Sequence, residues 1–124
     1  NYQWLRDGLE GLEDIFILPE ATPKSDPSWF GLPLTVRDGA PIGRDGLLRH
    51  LNERNIGTLF LFGGNLIRQP YMIGRQYRVA GELANSDIVT ERTFWLGVYP
   101  GLDEAAIGYM IDSIVDYCGG KKPT

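Results

Sequence analysis

Hydrophobic positions recur along this chain in two rhythms, and the points where one gives way to the other set the expected elements. Tyr2, Leu5, Leu9, Leu12 and Ile15 are three or four residues apart, which lines one face of an amphipathic helix, although Gly8 and Gly11 weaken that helix in isolation. The run FILPE at 16–20 turns extended and is ended by its proline. After the loop ATPKSDPS, the stretch WFGLPLTV at 29–36 predicts a strand, and Pro33 assigns it to a sheet edge or a bulge. Helical spacing returns in PIGRDGLLRHLNERN through Leu47, Leu48 and Leu51, with Pro41 and Gly43 ahead of it and Asn55 at its end.

The most apolar run, TLFLF at 58–62, predicts a buried strand and breaks abruptly into GGNLIRQPYM. Glycines there allow φ > 0 or a close approach of the backbone, while Asn65, Arg68, Gln69 and Tyr71 offer polar groups. A strand-terminating turn and a binding loop are both open on these residues alone. YRVAGELANSDIVTERT then carries Val79, Leu83 and Ile88 on a loose helical pattern and predicts one short helix. FWLGVY at 94–99 predicts a third strand, stopped by Pro100 and Gly101. In LDEAAIGYMIDSIVDYC, Asp103 suits an N-cap or first turn, and Ile107, Met110, Ile111, Ile114 and Val115 form one face. Gly119 and Gly120 stop that helix before the polar tail KKPT. The order of elements predicts an α+β fold in which helices cover one side of a small mixed or antiparallel sheet of three to four strands.

A length of 124 residues predicts one domain with a real core, and 43% hydrophobic against 23% charged residues argues for a folded chain. No apolar run approaches the roughly 20 residues of a membrane span. With a net charge of −4 and both signs interspersed, there is no basic stripe of the kind a nucleic-acid surface needs. One cysteine and one histidine leave no internal disulfide and exclude most zinc sites, so no metal site is expected. The chain lacks an initiator Met and opens directly in a helical pattern, from which a piece of a longer, cytoplasmic protein is expected.

Little in the chain suggests catalysis. His50 lies in an amphipathic helix beside Arg49 with no identifiable acid or serine partner, and reads as a solvated helix residue. Asp103 and Glu104 suit the positive end of a helix dipole better than a paired-carboxylate site. GGN lacks the Gly-Lys-Ser/Thr of a phosphate-binding P-loop. Phe60, Phe62, Phe94 and Trp95 read as core or sheet-face packing in preference to a base-stacking platform. Arg68, Arg75, Arg78 and Arg92 together suit carboxylate or phosphate groups, although each alone reads as a surface ion pair.

Across GTLFLFGGNLIRQPYM, continued by YRVAGELANSDIVTERTFWLGVYPGLDE, the sequence resembles the carboxy-terminal part of nucleotide-sugar 3-dehydrases. These are the lipopolysaccharide-sugar enzymes that act on CDP-4-keto-6-deoxy-D-glucose, within the DegT-like sugar aminotransferase and dehydrase group of the aspartate-aminotransferase fold. FGGN…RQPY with TFW.GVYPGL carries the likeness, which runs from SWFGLPL to the last helix. Sugar aminotransferases commonly have Pro-Leu-His before the Gln-Pro pair, whereas Asn65-Leu66-Ile67 precedes Arg68-Gln69-Pro70 here, which favours a dehydrase.

The resemblance implies that residues 1–124 are the small C-terminal domain, with the cofactor domain and its catalytic lysine or histidine elsewhere, so no catalytic residue is expected in this stretch. It implies pyridoxamine 5′-phosphate chemistry: the amine condenses with the C4 ketone, a large-domain histidine removes a proton, and the C3 hydroxyl leaves. A [2Fe-2S] centre and a reductase electron donor serve the next step in the relatives, and its cysteines are absent from this chain. A CDP-sugar substrate, a homodimer of the full-length enzyme and no cofactor bound to this piece alone are expected. By resemblance Arg92 reaches into the active site. Asn65, Arg68 and Phe30 are the further substrate-binding candidates, with the glycine loop closing over the nucleotide sugar. A sugar aminotransferase and a non-catalytic α+β binding module are the alternatives.

Overall fold

The computed structural model describes residues 1–119. Among them, helices and strands follow in the order α1 (Tyr2–Gly8), β1 (Phe16–Ile17), β2 (Gly31–Val36), α2 (Arg44–Glu53), β3 (Thr58–Phe60), α3 (Ala84–Arg92), β4 (Thr93–Gly97) and α4 (Glu104–Tyr117). Short 3-10 turns at Leu66–Arg68 and Pro70–Met72 interrupt the long connection between β3 and α3. The strands form one antiparallel sheet in the order β1-β2-β4-β3. The expected α+β layout and order of elements are therefore present.

Register decides which side of the sheet is covered. Leu32 faces Leu96 and Leu34 faces Phe94 across β2 and β4. Because side chains alternate along a strand, these four share one face with Val36. All five are at most 4% exposed, and they join Leu5, Leu47, Leu51, Ile107 and Ile114 from the helices, with Leu9 just after α1, in one core. Pro33, Trp95 and Leu59 fall on the opposite face, where Leu59 is exposed.

Three expectations change in detail. The first helix ends at Gly8, since Gly11 takes φ 89, which a continuing right-handed helix excludes. Successive turns nevertheless bury Leu9, Leu12 and Ile15, because turns of three residues reproduce the spacing that a longer helix would give. Gly8 has a packing reason: a Cβ there would lie 2.3 Å from the Ile111 side chain, so its absence lets α1 meet α4. Pro33 lies in an interior strand of the sheet, but β1 pairs only with Thr35 and Val36, so Pro33 has no neighbour on that side to require its missing N–H. The TLFLF strand stops at Phe60, and Phe62 adopts φ 51. Leu59, Phe60 and Phe62 are 60–76% exposed, so the expected burial of this run is corrected.

The last helix follows the expected pattern. Asp103 caps it, its Oδ1 accepting from the Ala106 amide at 2.8 Å. Gly119, at φ 101, follows the end, while Gly120 and the KKPT tail lie outside the described residues. Cys118 is half-buried; burial pushes its thiol from 9.0 up to about 11, with the Asp14 carboxylate adding to the rise. Burial and Asp14 favour the protonated form, so the thiol stays protonated through pH 9 and ionises as the pH approaches 11. Alkylation by iodoacetamide is expected to be slow at pH 8 and to rise steeply only above pH 10. Fast labelling at pH 8 in the folded chain contradicts this placement.

Candidate functional site

The connection between β3 and α3 is fixed at its root by polar contacts to α3. Asn65 is 4% exposed. Its amide N–H donates to Thr90 Oγ1 at 2.6 Å, its Nδ2 to Asp87 Oδ1 at 2.8 Å, and its Oδ1 accepts from the Ile67 amide at 3.2 Å. Arg68 donates from Nη1 to Asp87 at 3.1 Å and to Glu91 at 2.6 Å. Gln69 closes the loop on itself through Gly63 O at 2.6 Å. Gly64 is required by both its φ of 56 and its surroundings, since a Cβ there would sit 2.4 Å from Thr90 Oγ1. Beyond this root the large side chains of Leu66, Tyr71 and Ile73 are exposed.

Arg92, the last residue of α3, stands apart from that network. Its Nη2 lies 3.0 Å from Asp38 Oδ1, and the Asp38 side chain is 90% exposed. A pair so open to water holds its arginine weakly, leaving the guanidinium free to exchange that partner for another anion. Around it lies an open groove of about 400 Å³, whose lining includes Asp38, Gly39, Arg44 and Asp45. Arg44 is held firmly: it donates to Thr90 O at the C-terminal end of α3 and stacks over the Phe60 ring at 4.6 Å.

Phe30 is on the uncovered side of the sheet, 78% exposed, with its ring 4.8 Å from that of Trp95. Phe62 meets Trp95 from elsewhere at 4.9 Å, edge to face. Trp95 Nε1 is buried with no hydrogen-bond partner among the described residues. A groove of about 370 Å³ runs beside these rings over Leu59 and Gly31. Of the aromatics expected in the core or on a sheet face, Phe94 is fully buried in the core, Trp95 and Phe62 pack together on the open face, and Phe60 and Phe62 are largely exposed.

Of the four expected substrate-binding residues, Asn65 and Arg68 meet at Asp87. Arg92 ends the same helix with a different partner, and Phe30 faces out from the sheet. Arg75 donates back to Tyr71 O in its own turn, and Arg78 is exposed. Sequence reasoning passed over Asp87, Thr90 and Arg44. The one signal for Asp87 was its spacing of four from Glu91, which puts two acids on one helix face.

His50 is corrected from a solvated residue to a link between helices. Its Nε2 donates to Ser113 O at 2.9 Å, and its Nδ1 is 3.0 Å from Arg54 Nη1. Both ring nitrogens are thus engaged, and the lysine among the described residues, Lys24, sits in an exposed turn. These residues do not fit a pyridoxal or pyridoxamine phosphate group by themselves. No helix among them is long and apolar enough to cross a membrane.

Such a fold, a four-stranded antiparallel sheet with helices against one face, is part of the pyridoxal-phosphate-dependent aminotransferase fold. Residues 1–115 match the DegT/DnrJ/EryC1/StrS aminotransferase family, and the chain belongs to it. It is 45% identical over 119 residues to the lipopolysaccharide biosynthesis protein RfbH of Salmonella typhimurium, covering 96% of this chain and 27% of that protein. It is 50% identical over 117 residues to a dTDP-4-dehydro-2,6-dideoxy-D-glucose 3-dehydratase of Saccharopolyspora spinosa, covering 94% and 25%. The chain thus spans about a quarter of the length of these relatives. In structure it is similar to the E. coli GDP-4-keto-6-deoxy-D-mannose-3-dehydratase with bound hydrated PLP, with a TM-score of 0.72 at 18% identity over 91% of this chain and 30% of that one.

Proposed function

We propose that residues 1–124 are the small C-terminal domain of a pyridoxamine-phosphate-dependent nucleotide-sugar 3-dehydrase, and that this domain presents Arg92 and Phe30 to a CDP-ketosugar. The observation that carries the reading is the state of Arg92: a guanidinium at the end of a fixed helix, paired among the described residues with a carboxylate that is almost wholly in water. In a closed cleft such a group holds a phosphate or carboxylate through charge-assisted hydrogen bonds. Phe30 adds an apolar wall that excludes water. Asn65 and Arg68 contribute by shaping the loop, since their polar atoms are engaged within the chain.

The bonds of the sugar are broken elsewhere in the enzyme, on the part that carries the cofactor. When bound, that cofactor supplies the electron sink for loss of the C3 hydroxyl. A cytoplasmic homodimer served by a [2Fe-2S] centre and a reductase completes the proposal. Because the family also contains aminotransferases, transfer of an amino group to C4 is the second reading.

Full-length enzyme given pyridoxamine phosphate and CDP-4-keto-6-deoxy-D-glucose is expected to yield a product that has lost the C3 oxygen, seen by mass spectrometry. The 124-residue chain alone is expected to yield none. An amino sugar formed from glutamate transfers the protein to the second reading. Turnover by the chain alone overturns the division of labour.

A further inference from the structure

We propose that Asp87 is a positioning residue: it fastens the 63–69 loop to α3, so that loop and Arg92 meet the substrate as one preformed surface instead of a lid and a separate arm. The proposal rests on the reading of the whole enzyme as a nucleotide-sugar dehydrase.

Asp87 Oδ1 accepts from both Asn65 Nδ2 and Arg68 Nη1. Asn65 is buried, so removing that oxygen leaves a buried amide N–H without its acceptor. Two further contacts lie on the same helix face, three and four residues on. Thr90 Oγ1 accepts the Asn65 amide and donates to Ser86 O at 2.8 Å, which fixes the direction of its hydroxyl, and Glu91 takes the other bond from Arg68. Close packing of Gly64 against Thr90 leaves the loop no room to slide.

The helix itself makes this network decisive. No residue of α3 is buried, so hydrophobic packing does little to set its position. Among the described residues it is held by the Asp87, Thr90 and Glu91 contacts, the Arg44 guanidinium on Thr90 O, the open Arg92–Asp38 pair and its direct run into β4. Arg92 is placed by the same contacts. An error of about 1 Å in such a group costs up to about a hundredfold in rate.

In the full-length enzyme with CDP-4-keto-6-deoxy-D-glucose, Asp87→Ala is expected to lower kcat/KM about ten- to a hundredfold, with a raised KM. Loss of folded enzyme alone lowers kcat and leaves KM, so the split separates positioning from instability. Asp87→Asn keeps an oxygen for both donors and is expected to restore KM to within a few-fold of wild type. Without substrate, hydrogen exchange over residues 63–72 is expected to quicken in Asp87→Ala and to stay at the wild-type rate in Asp87→Asn. Arg68→Met cuts the same link at its half-exposed rim and is expected to quicken that exchange too, which keeps the test decisive should Asp87→Ala not fold. Wild-type KM and exchange in Asp87→Ala, unchanged exchange in Arg68→Met, or an Asp87→Asn as impaired as Asp87→Ala overturns the proposal. Exchange reads the link directly, so a wild-type enzyme that leaves the ketosugar untouched sinks the dehydrase reading without deciding this one.

Discussion

Replacing Arg92 with alanine in the full-length enzyme is expected to lower kcat/KM on the order of ten- to a hundredfold, while Arg49→Ala leaves it near the wild-type value. Both arginines sit on helices, but Arg49 is on the exposed face of α2, whereas Arg92 closes α3 beside a groove. A charge-assisted hydrogen bond in a water-poor cleft contributes about 1.5–3 kcal/mol, against less than about 1 for an exposed ion pair. At about 1.36 kcal/mol per tenfold, that difference sets the expected loss. Removing Arg92 costs the isolated fold little, because its partner Asp38 is almost fully solvated and is left with nothing to desolvate. The melting temperature of Arg92→Ala therefore stays close to wild type, which separates lost contact from lost structure. If Arg92→Ala turns over normally while Arg68→Ala abolishes activity, the glycine loop holds the substrate contact instead.

What periodicity could reveal here was the identity and order of the elements, and it did so where an apolar face meets a core. Leu47, Leu48 and Leu51 on α2 and Ile107, Met110, Ile114 and Val115 on α4 are buried as their spacing predicts. It failed at TLFLF, because a run of apolar residues looks alike whether it lies under a helix or on an open edge. β3 is both short and at the sheet edge, so Leu59 and Phe60 are left exposed within this chain. Helix length was misjudged at 2–15 for a related reason: three-residue turns and a helix bury residues at nearly the same spacing, and the positive φ of Gly11 is a property of the backbone that composition only hints at.

The candidate site was legible in a different measure. Asn65, Arg68 and Arg92 stand out by residue type and by their place in the family motif, but their roles separate only when their partners are known. Asp87 lies 22 residues from Asn65 and 19 from Arg68, and no local pattern joins residues so far apart. Thr90 is similar: its side chain reads as an ordinary helix position until the loop amide is seen to end on it. Contacts of this kind set the geometry of the loop, and they belong to the tertiary structure alone.

Phe94→Ala is expected to destabilise the chain by about 3–5 kcal/mol, and Phe62→Ala by less than about 1.5. Both are aromatic residues in or just after a strand of the same sheet, and the sequence treats them alike. Phe94 has no exposed surface, faces Leu34 across the β2–β4 ladder and lies in the core with Leu32, Leu96 and the helix leucines. Truncating it removes the ring's transfer free energy and leaves a cavity that strands on both sides prevent from collapsing. Phe62 is 76% exposed, and its ring meets Trp95 edge to face, so truncating it uncovers little that was buried. Against a total stability of about 5–15 kcal/mol for a domain of this size, the first change removes a large share. With a urea dependence of about 1–3 kcal/mol per molar, it lowers the unfolding midpoint by roughly 2 M, measured by circular dichroism, while Phe62→Ala shifts it by well under that. Equal losses for the two variants place Phe62 in the core and reverse the assignment of covered and open faces. The same result removes the basis for placing Phe30 on the open side of the sheet, where the proposed substrate contact lies.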